Sequence, residues 1–218
     1  MSDDVSRETR AATVEAEPVA ADEIFGSRLA VARQFTAALA EQGEERGLIG
    51  PLELPRLWTR HVLNSAIIAP FFSGRVADIG SGAGLPGLVL AIARPDVEWV
   101  LIEPMERRVQ WLTEQVRELE LDNVEVVRAR AEDWSRGPVM DAVTARAVSA
   151  LRTLLPLTAP LVRDGGELVL LKGANAQNEI AAAQKQLRKF SVVDARVEIV
   201  GEGVLAEPTR VLRGTIRR

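Results

Sequence analysis

A glycine-rich segment between two apolar runs constrains the fold of this chain more than any other feature. In DIGSGAGLPG, residues 78–87, four glycines fall within ten residues, after the apolar run RVADI and before LVLAIA. Glycine lacks a Cβ, so the backbone can turn sharply there and come close to a ligand, and a following helix offers free N–H groups. The segment is typical of the first strand-to-helix turn of an α/β sheet.

Strand-like and helix-like apolar patterns alternate from this segment onward. The strand-like runs are RVADI, VEWVLIE, VEVVRA, DAVTAR and GELVLLK, and helical periodicity separates most of them. Alternation of this kind predicts a mostly parallel sheet between two helical layers. The last two runs, SVVDARVEIVG and TRVLRGTIR, have no helix between them, so we expect an antiparallel hairpin at the sheet edge. The predicted fold is therefore a doubly wound α/β sheet of seven strands.

Two helical segments are predicted before this sheet. Apolar residues recur at steps of three and four from Phe25 to Leu39, and a second segment runs from Pro55 to near Gly74. Residues 1–22 are acidic and rich in alanine, with few large side chains, which predicts a disordered tail. We therefore expect a tail over residues 1–22 and a single domain over residues 23–218.

Composition limits the chemistry. The chain has no cysteine and one histidine, His61, which argues against disulfides, metal sites and covalent cysteine catalysis. No apolar run approaches the roughly 20 residues of a membrane span, and the N-terminus lacks a signal-peptide pattern. We therefore expect a cytoplasmic protein with no metal and no membrane partner. The net charge of −4 argues against a generic nucleic-acid binder, although nearly all cations are arginines, which suit phosphates and guanine edges.

Two acidic residues narrow the choice of ligand for the glycine-rich segment. Gly82–Gly87 matches G-x-G-x-x-G, which alone fits a dinucleotide, an adenosylmethionine or a packing turn without a ligand. Glu103 ends the next predicted strand, 21 residues beyond Gly82, where it can accept the ribose hydroxyls of either cofactor. Asp78 would face the cationic amino end of a methionine moiety but would repel a pyrophosphate. These acids favour S-adenosylmethionine.

The inventory of reactive side chains agrees with methyl transfer. A hydride-transferring enzyme usually needs Tyr, His or Lys as proton donor or acceptor, and this chain has no tyrosine and a single histidine before the glycine-rich segment. Without cysteine there is no thiolate attack on a pyrimidine. TARAVSA stands after the fourth strand, where a methylase of exocyclic amines would present Asn/Asp-Pro-Pro-aromatic. We therefore expect an acceptor atom that is already nucleophilic.

Several motifs together resemble one methyltransferase family. They are RHVLNSAIIAPF, VADIGSGAGLPGLVLAIARP, ERRVQWL, RARAED, ARAVSAL and LLKG, between about Leu57 and Lys172. In this order they resemble the small-subunit ribosomal RNA methyltransferase G family, also called glucose-inhibited division protein B. The resemblance implies a class I, Rossmann-like, S-adenosylmethionine-dependent methyltransferase that modifies N7 of a guanine in 16S rRNA. It also implies the small ribosomal subunit as partner, and we expect a monomer.

The resemblance and the residue chemistry together predict the site residues. For the cofactor they are Asp78, Gly80, Gly82, Leu85, Glu103, Ala131, Glu132 and Arg146, with Ala131 and Glu132 around the adenine and Arg146 at the methionine end. For the RNA they are Lys172, as first choice for a phosphate or guanine contact, then Arg60, His61 and Arg210. Arg210 fits equally well an edge strand that is protected from aggregation by charge. Asn64 stands where the family leads us to expect an acid, which puts a carboxylate role there in doubt.

Two other functions stay open on the sequence alone. One is a methyltransferase that acts on a protein or a small molecule, which the acidic composition and the lack of a long basic stretch favour. The other is a non-catalytic module that binds adenosylmethionine or a nucleotide. Turnover on rRNA, on intact small subunits and on metabolites would separate these functions.

Overall fold

The computed structural model describes residues 13–134, 139–146 and 149–218. Its α-helices are α1 Ala20–Phe25, α2 Leu29–Gln42, α3 Asn64–Ala66, α4 Gly87–Ala93, α5 Glu106–Glu118, α6 Leu151–Thr158, α7 Ala176–Ala182 and α8 Gln184–Lys189. Its strands are β1 Arg75–Ile79, β2 Glu98–Ile102, β3 Val124–Val127, β4 Met140–Arg146, β5 Val162–Lys172, β6 Val192–Val200 and β7 Thr209–Ile216. Each predicted strand is present, within a few residues of its predicted bounds.

The strands form one seven-stranded sheet in the order β3-β2-β1-β4-β5-β7-β6. The first five strands in this order are parallel to one another, and β7 pairs antiparallel with both β5 and β6. The prediction of a doubly wound sheet with an antiparallel C-terminal hairpin is confirmed. The chain winds outward from β1 in one direction and then from β4 in the other, so the strand order reverses between these two strands. A crevice opens at such a reversal, beyond the carboxyl ends of the strands.

Apolar side chains on the two faces of the sheet build two separate cores. On β2, Trp99 and Leu101 pack on the side of α1, α2, α4 and α5, whereas Val100 and Ile102 pack on the side of α6, α7 and α8. This alternation follows from the two-residue period of a strand, and both faces are apolar because helices cover both. Phe72 meets Trp99 edge to face, with ring centroids 5.2 Å apart. The leading segment is thereby anchored to the sheet.

The second predicted helical segment is present, but it is not one continuous α-helix. The segment consists of a 3₁₀ turn at Leu54–Arg56, π-helical turns at Leu57–Leu63, the single turn α3 and a second 3₁₀ turn at Ala69–Phe71. Pro70 lies in the last turn and has no N–H to continue a helix. Wide π-helical turns displace side chains from α-helical positions and occur often at functional sites. Arg60 and His61 lie in these turns.

The described part of the predicted tail contacts the domain. Helix α1 begins at Ala20, so its first three residues, including the buried Ala21, lie inside the segment expected to be disordered. Glu17 accepts two hydrogen bonds from Arg33, at 2.6 and 2.7 Å, and the Glu15 carboxylate accepts one from the Thr59 N–H at 3.0 Å. These side-chain bonds could not be read from acidic composition. Residues 1–12 lie outside the described residues. Within the described ranges, no helix has the length and apolarity to cross a membrane.

Candidate functional site

The predicted site residues lie at the carboxyl edge of the parallel strands. The glycine loop, residues 80–86, follows β1, and Glu103 follows β2 directly. Arg146 and Lys172 are the last residues of β4 and β5. The parallel pairing of these strands brings their carboxyl ends to one edge, on both sides of the reversal in strand order. Chain topology therefore assembles residues that are distant in sequence.

The glycine loop turns through conformations that favour glycine. Gly80, Gly82 and Gly84 have φ of 71°, 57° and 89°, in the left-handed region. The N–H of Gly80 donates to the carbonyl of Ile102 at 2.8 Å. The buried indole of Trp111 donates to the carbonyl of Ala83 at 3.0 Å. The loop is thus held from β2 and from α5, and the contribution of Trp111 was not evident from the sequence.

Asp78 lies fully buried beneath the glycine loop. Its Oδ2 accepts a hydrogen bond from the N–H of Gly87 at 3.0 Å, and its Oδ1 has no hydrogen-bond partner among the described residues. Burial raises the pKa of Asp78 to about 7, against the opposing effects of the Ser81 side chain, the Gly87 N–H and the charge of Arg146. A buried carboxylate oxygen without a donor is costly unless a ligand or water supplies one. The ammonium of a methionine moiety is a donor of that kind.

Glu103 holds the glycine loop from the neighbouring strand. Its Oε2 accepts from the N–H of Gly82 at 3.0 Å, and its Oε1 accepts from the N–H of Met105 at 2.9 Å. The side chain is 2% exposed, and Arg108 lies 3.9 Å away. Each carboxylate oxygen has a second lone pair, so the predicted contact with ribose hydroxyls is compatible with these bonds.

Alanine at Gly87 is expected to destabilise the protein by about 2 kcal/mol, as overpacking in a filled core does. A Cβ there would lie 2.5 Å from Asp78 Oδ2 and would also collide with the buried side chain of Leu101. Urea unfolding measures the loss. Gly50→Ala is the control, since its added Cβ would meet nothing within 4 Å. Equal stability of the two variants would contradict this packing.

Arg146 is held by the only histidine of the chain. Its Nη2 lies 3.1 Å from His61 Nδ1, and His61 Nε2 lies 2.5 Å from Glu53 Oε2. Burial lowers the pKa of Arg146 to about 10, so the guanidinium stays charged at neutral pH. Burial, followed by the charge of Arg146, lowers the pKa of His61, so the imidazole is neutral. The structure thus brings together His61, which was predicted to contact the RNA, and Arg146, which was predicted to contact the cofactor.

Glu53 is a residue of this cluster that sequence reasoning missed. The family pattern led us to expect an acid after Arg60 and His61, where Asn64 stands; the acid in the structure comes eight residues before His61 instead. Asn64 donates to the hydroxyl of Thr209 at 2.6 Å and thereby ties the leading segment to β7. An acid close in sequence to the only histidine was the available signal. The irregular turns between them made its position unpredictable.

Lys172, the first choice for an RNA contact, has a largely buried side chain. Its side chain is 7% exposed, and its Nζ lies 2.6 Å from the Ser149 carbonyl and 2.9 Å from Glu179 Oε2. Glu179 also accepts from the N–H of Leu151 at 2.7 Å. These bonds hold Ser149 and Leu151, so the geometry favours a positioning role for Lys172. Its direct contact with RNA stays a prediction.

The remaining predicted residues lie around the same edge. Arg210 is exposed and pairs in register with Lys172 across β5 and β7, whereas Arg60 has a side chain that is 53% exposed. Leu85 and Ala131 are buried, and Glu132 is exposed in the turn after β3. Both RNA candidates with free access to solvent, Arg60 and Arg210, are therefore arginines. Among the described residues, no group of three or more His, Asp or Glu side chains could hold a metal ion.

Solved structures share this architecture. TYW2 of M. jannaschii, in complex with AdoMet, aligns with a TM-score of 0.56 at 19% identity, over 72% of this chain and 76% of that chain. A SAM-dependent methyltransferase from Aquifex aeolicus aligns with a TM-score of 0.55 at 18% identity, over 78% of this chain and 98% of that chain. At these identities the likeness concerns the fold, which is that of class I S-adenosylmethionine-dependent methyltransferases.

Sequence comparison is more specific. A family described as rRNA small subunit methyltransferase G matches residues 28–207. The ribosomal RNA small subunit methyltransferase G of Leifsonia xyli subsp. xyli is 69% identical over 206 residues, which cover 94% of this chain and 99% of that protein. The protein of the same name from Beutenbergia cavernae is 47% identical over 214 residues, 96% of this chain and 100% of that protein. With a match over most of its length and relatives of this identity, the chain belongs to the rRNA small subunit methyltransferase G family.

Proposed function

We propose that this protein transfers a methyl group from S-adenosylmethionine to N7 of a guanine in 16S rRNA of the small ribosomal subunit. Family membership supports the reaction class and the rRNA substrate. The observation that carries the cofactor assignment is the glycine loop, with the buried, unpartnered Asp78 Oδ1 beneath it and Glu103 beside it. We also infer that the protein acts in the cytoplasm as a monomer.

The residues at the carboxyl edge fit this cofactor. Asp78 and Arg146 carry opposite charges, which suit the ammonium and the carboxylate of a methionine moiety. Glu103 has lone pairs for ribose hydroxyls, and the small, buried Ala131 leaves room for a flat adenine ring beside Glu132. Gly80, Gly82 and Leu85 would line the loop against the cofactor. S-adenosylmethionine supplies a methyl group that a neutral nitrogen lone pair can accept.

The chain's own residues contribute alignment rather than proton transfer. Guanine N7 has a free lone pair, so its methylation needs no general base, and the neutral His61 is engaged at both ring nitrogens. Holding reactants in line can supply roughly 7–11 kcal/mol at best. The exposed Arg60 and Arg210 would hold RNA phosphates, which suits arginine geometry. Duplex RNA hides N7 in its narrow major groove, so we infer an unpaired or splayed target.

Mass mapping of small-subunit rRNA tests the proposal. We expect rRNA from cells without the gene to lack one methylated guanine, and the wild-type gene to restore it. Gly80→Val should fail to restore it, because a β-branched residue is strained at a φ of 71°. Gly50→Ala should restore it fully. An unchanged rRNA methylation pattern in the deletion strain would contradict the substrate and favour a protein or small-molecule acceptor.

A further inference from the structure

A chain of three hydrogen-bonded side chains, Glu53, His61 and Arg146, runs from the leading segment toward the buried Asp78 of the cofactor site. Glu53 Oε2 meets His61 Nε2 at 2.5 Å, and His61 Nδ1 meets Arg146 Nη2 at 3.1 Å. The positive charge of Arg146 in turn acts on Asp78. The leading segment and β4 contribute to this chain, and Asp78 lies on β1.

The hydrogen-bond directions in this chain follow from the chemistry of arginine. A guanidinium has donors only, so His61 Nδ1 must accept from Arg146 and carry no proton. The neutral imidazole then carries its proton on Nε2, and this N–H donates to the Glu53 carboxylate. Only one tautomer of His61 satisfies both neighbours, and Glu53 is the acceptor that this tautomer requires.

The side chains of His61 and Glu53 are largely shielded from water. The His61 side chain is 12% exposed and that of Glu53 is 22% exposed, while Arg60 lies 3.8 Å from Glu53. The negative charge of Glu53 also acts on the Arg146 guanidinium. Its other contact is with Arg56, on the exposed side, at 2.6 and 3.1 Å.

We propose that Glu53 is a positioning residue of the cofactor site: it fixes the His61 tautomer whose Nδ1 holds the Arg146 guanidinium beside Asp78. This inference rests on the proposed role of Arg146 at the methionine end of the cofactor. Glu53 itself is not expected to touch the cofactor or the RNA. It acts through His61, and its loss should affect cofactor affinity more than turnover at saturating cofactor.

Calorimetric binding of S-adenosylhomocysteine to the full-length protein tests the proposal. We expect Glu53→Ala to weaken binding about tenfold, the effect of losing a hydrogen bond to a charged group. Glu53→Gln keeps an acceptor for the Nε2–H and should recover most of the affinity. Arg56→Ala is the matched control: it removes the exposed ion pair of Glu53 but leaves the bond to His61, so binding should change less than twofold. The KM for S-adenosylmethionine should rise in Glu53→Ala while kcat is largely kept.

Nuclear magnetic resonance adds a readout independent of catalysis. His61 is the only histidine, so ¹⁵N spectra of the protein after removal of any affinity tag contain a single imidazole. We expect the neutral tautomer with the proton on Nε2 at neutral pH, and a mixture of tautomers or protonation states in Glu53→Ala. A proton on Nδ1 in the wild type would overturn the proposal, as would Glu53→Ala binding as tightly as Arg56→Ala. Failure of the wild type to bind S-adenosylhomocysteine would instead overturn the proposed function.

Discussion

Asp78→Asn is expected to stabilise the folded protein by about 2 kcal/mol at pH 8 and to weaken cofactor binding at least tenfold. The fully buried carboxyl has its pKa raised to about 7 from an ordinary value of 3.8, because burial disfavours its charged form. Asparagine has a similar shape and can still accept from the Gly87 N–H. It removes the cost of a buried charge together with the charge that would face the cofactor's ammonium.

The pH dependence of this gain has a definite sign. Because the pKa of Asp78 is higher in the folded than in the unfolded chain, its protonation favours the folded state. That contribution is fully present below about pH 3.8 and is lost as the pH rises through about 7. The stability advantage of Asp78→Asn should therefore be small near pH 4, grow with pH and level off above pH 7. Urea unfolding at several pH values measures it.

Asp141 provides a control of the opposite sign. The N–H of Arg75 and the Arg163 side chain lower the pKa of Asp141, so its ionised form stabilises the fold above its ordinary pKa of 3.8, and this stability is lost as the pH falls. Asp141→Asn should therefore destabilise the protein at neutral pH. An Asp78→Asn variant that gains no stability at pH 8 would contradict the buried charge. Unchanged affinity for S-adenosylhomocysteine would remove Asp78 from the cofactor site.

Arg146→Ala is expected to weaken S-adenosylhomocysteine binding about 100-fold. It removes the proposed partner of the ligand's carboxylate, and truncating one partner of a buried charge pair costs about 2–5 kcal/mol. The guanidinium is the cation that acts on Asp78 and accompanies His61, so its removal also leaves Asp78 without a counter-charge. Arg146→Lys keeps the charge but lacks the planar fork, and we expect it to recover only part of the affinity. Calorimetry with the purified variants measures the binding.

Arg196→Ala is the matched control for this loss. Arg196 lies on β6, and its exposed side chain pairs with Glu198 at 2.7 Å. Its truncation should leave the affinity within twofold, because exposed ion pairs contribute little. If Arg146→Ala bound S-adenosylhomocysteine as tightly as Arg196→Ala, the proposed role of Arg146 at the methionine end would be wrong.

Local patterns were sufficient for the sheet and for the glycine loop. Every predicted strand is present. The central strands β1 and β2 are buried on both faces, so each is a short, continuous apolar run that the sequence shows clearly. The loop was predictable because positive φ angles favour glycine, and Gly80, Gly82 and Gly84 occupy them. The order of the motifs also predicted the family, which sequence comparison confirms.

Side-chain partners were not predictable in the same way. Lys172 ends a strand at the expected edge, yet its ammonium bonds to Ser149 and Glu179 rather than facing solvent. The acid that partners His61 is Glu53, and a 3₁₀ turn followed by π-helical turns lies between them in place of a regular helix. A period of apolar residues sets which face of an element is buried, but not which polar groups meet at its ends.

The sequence by itself thus determined the order of the elements, the burial of both sheet faces and the position of the glycine loop, since each depends on residues close together in the chain. Only the tertiary structure decided that hydrogen bonds join Glu53, His61 and Arg146, and that the charge of Arg146 acts on Asp78. The bond between His61 and Arg146 joins residues 85 positions apart. The physical reason is that a hydrogen bond tolerates only a few tenths of an ångström of variation in its donor–acceptor distance. The packing of the whole domain sets that distance.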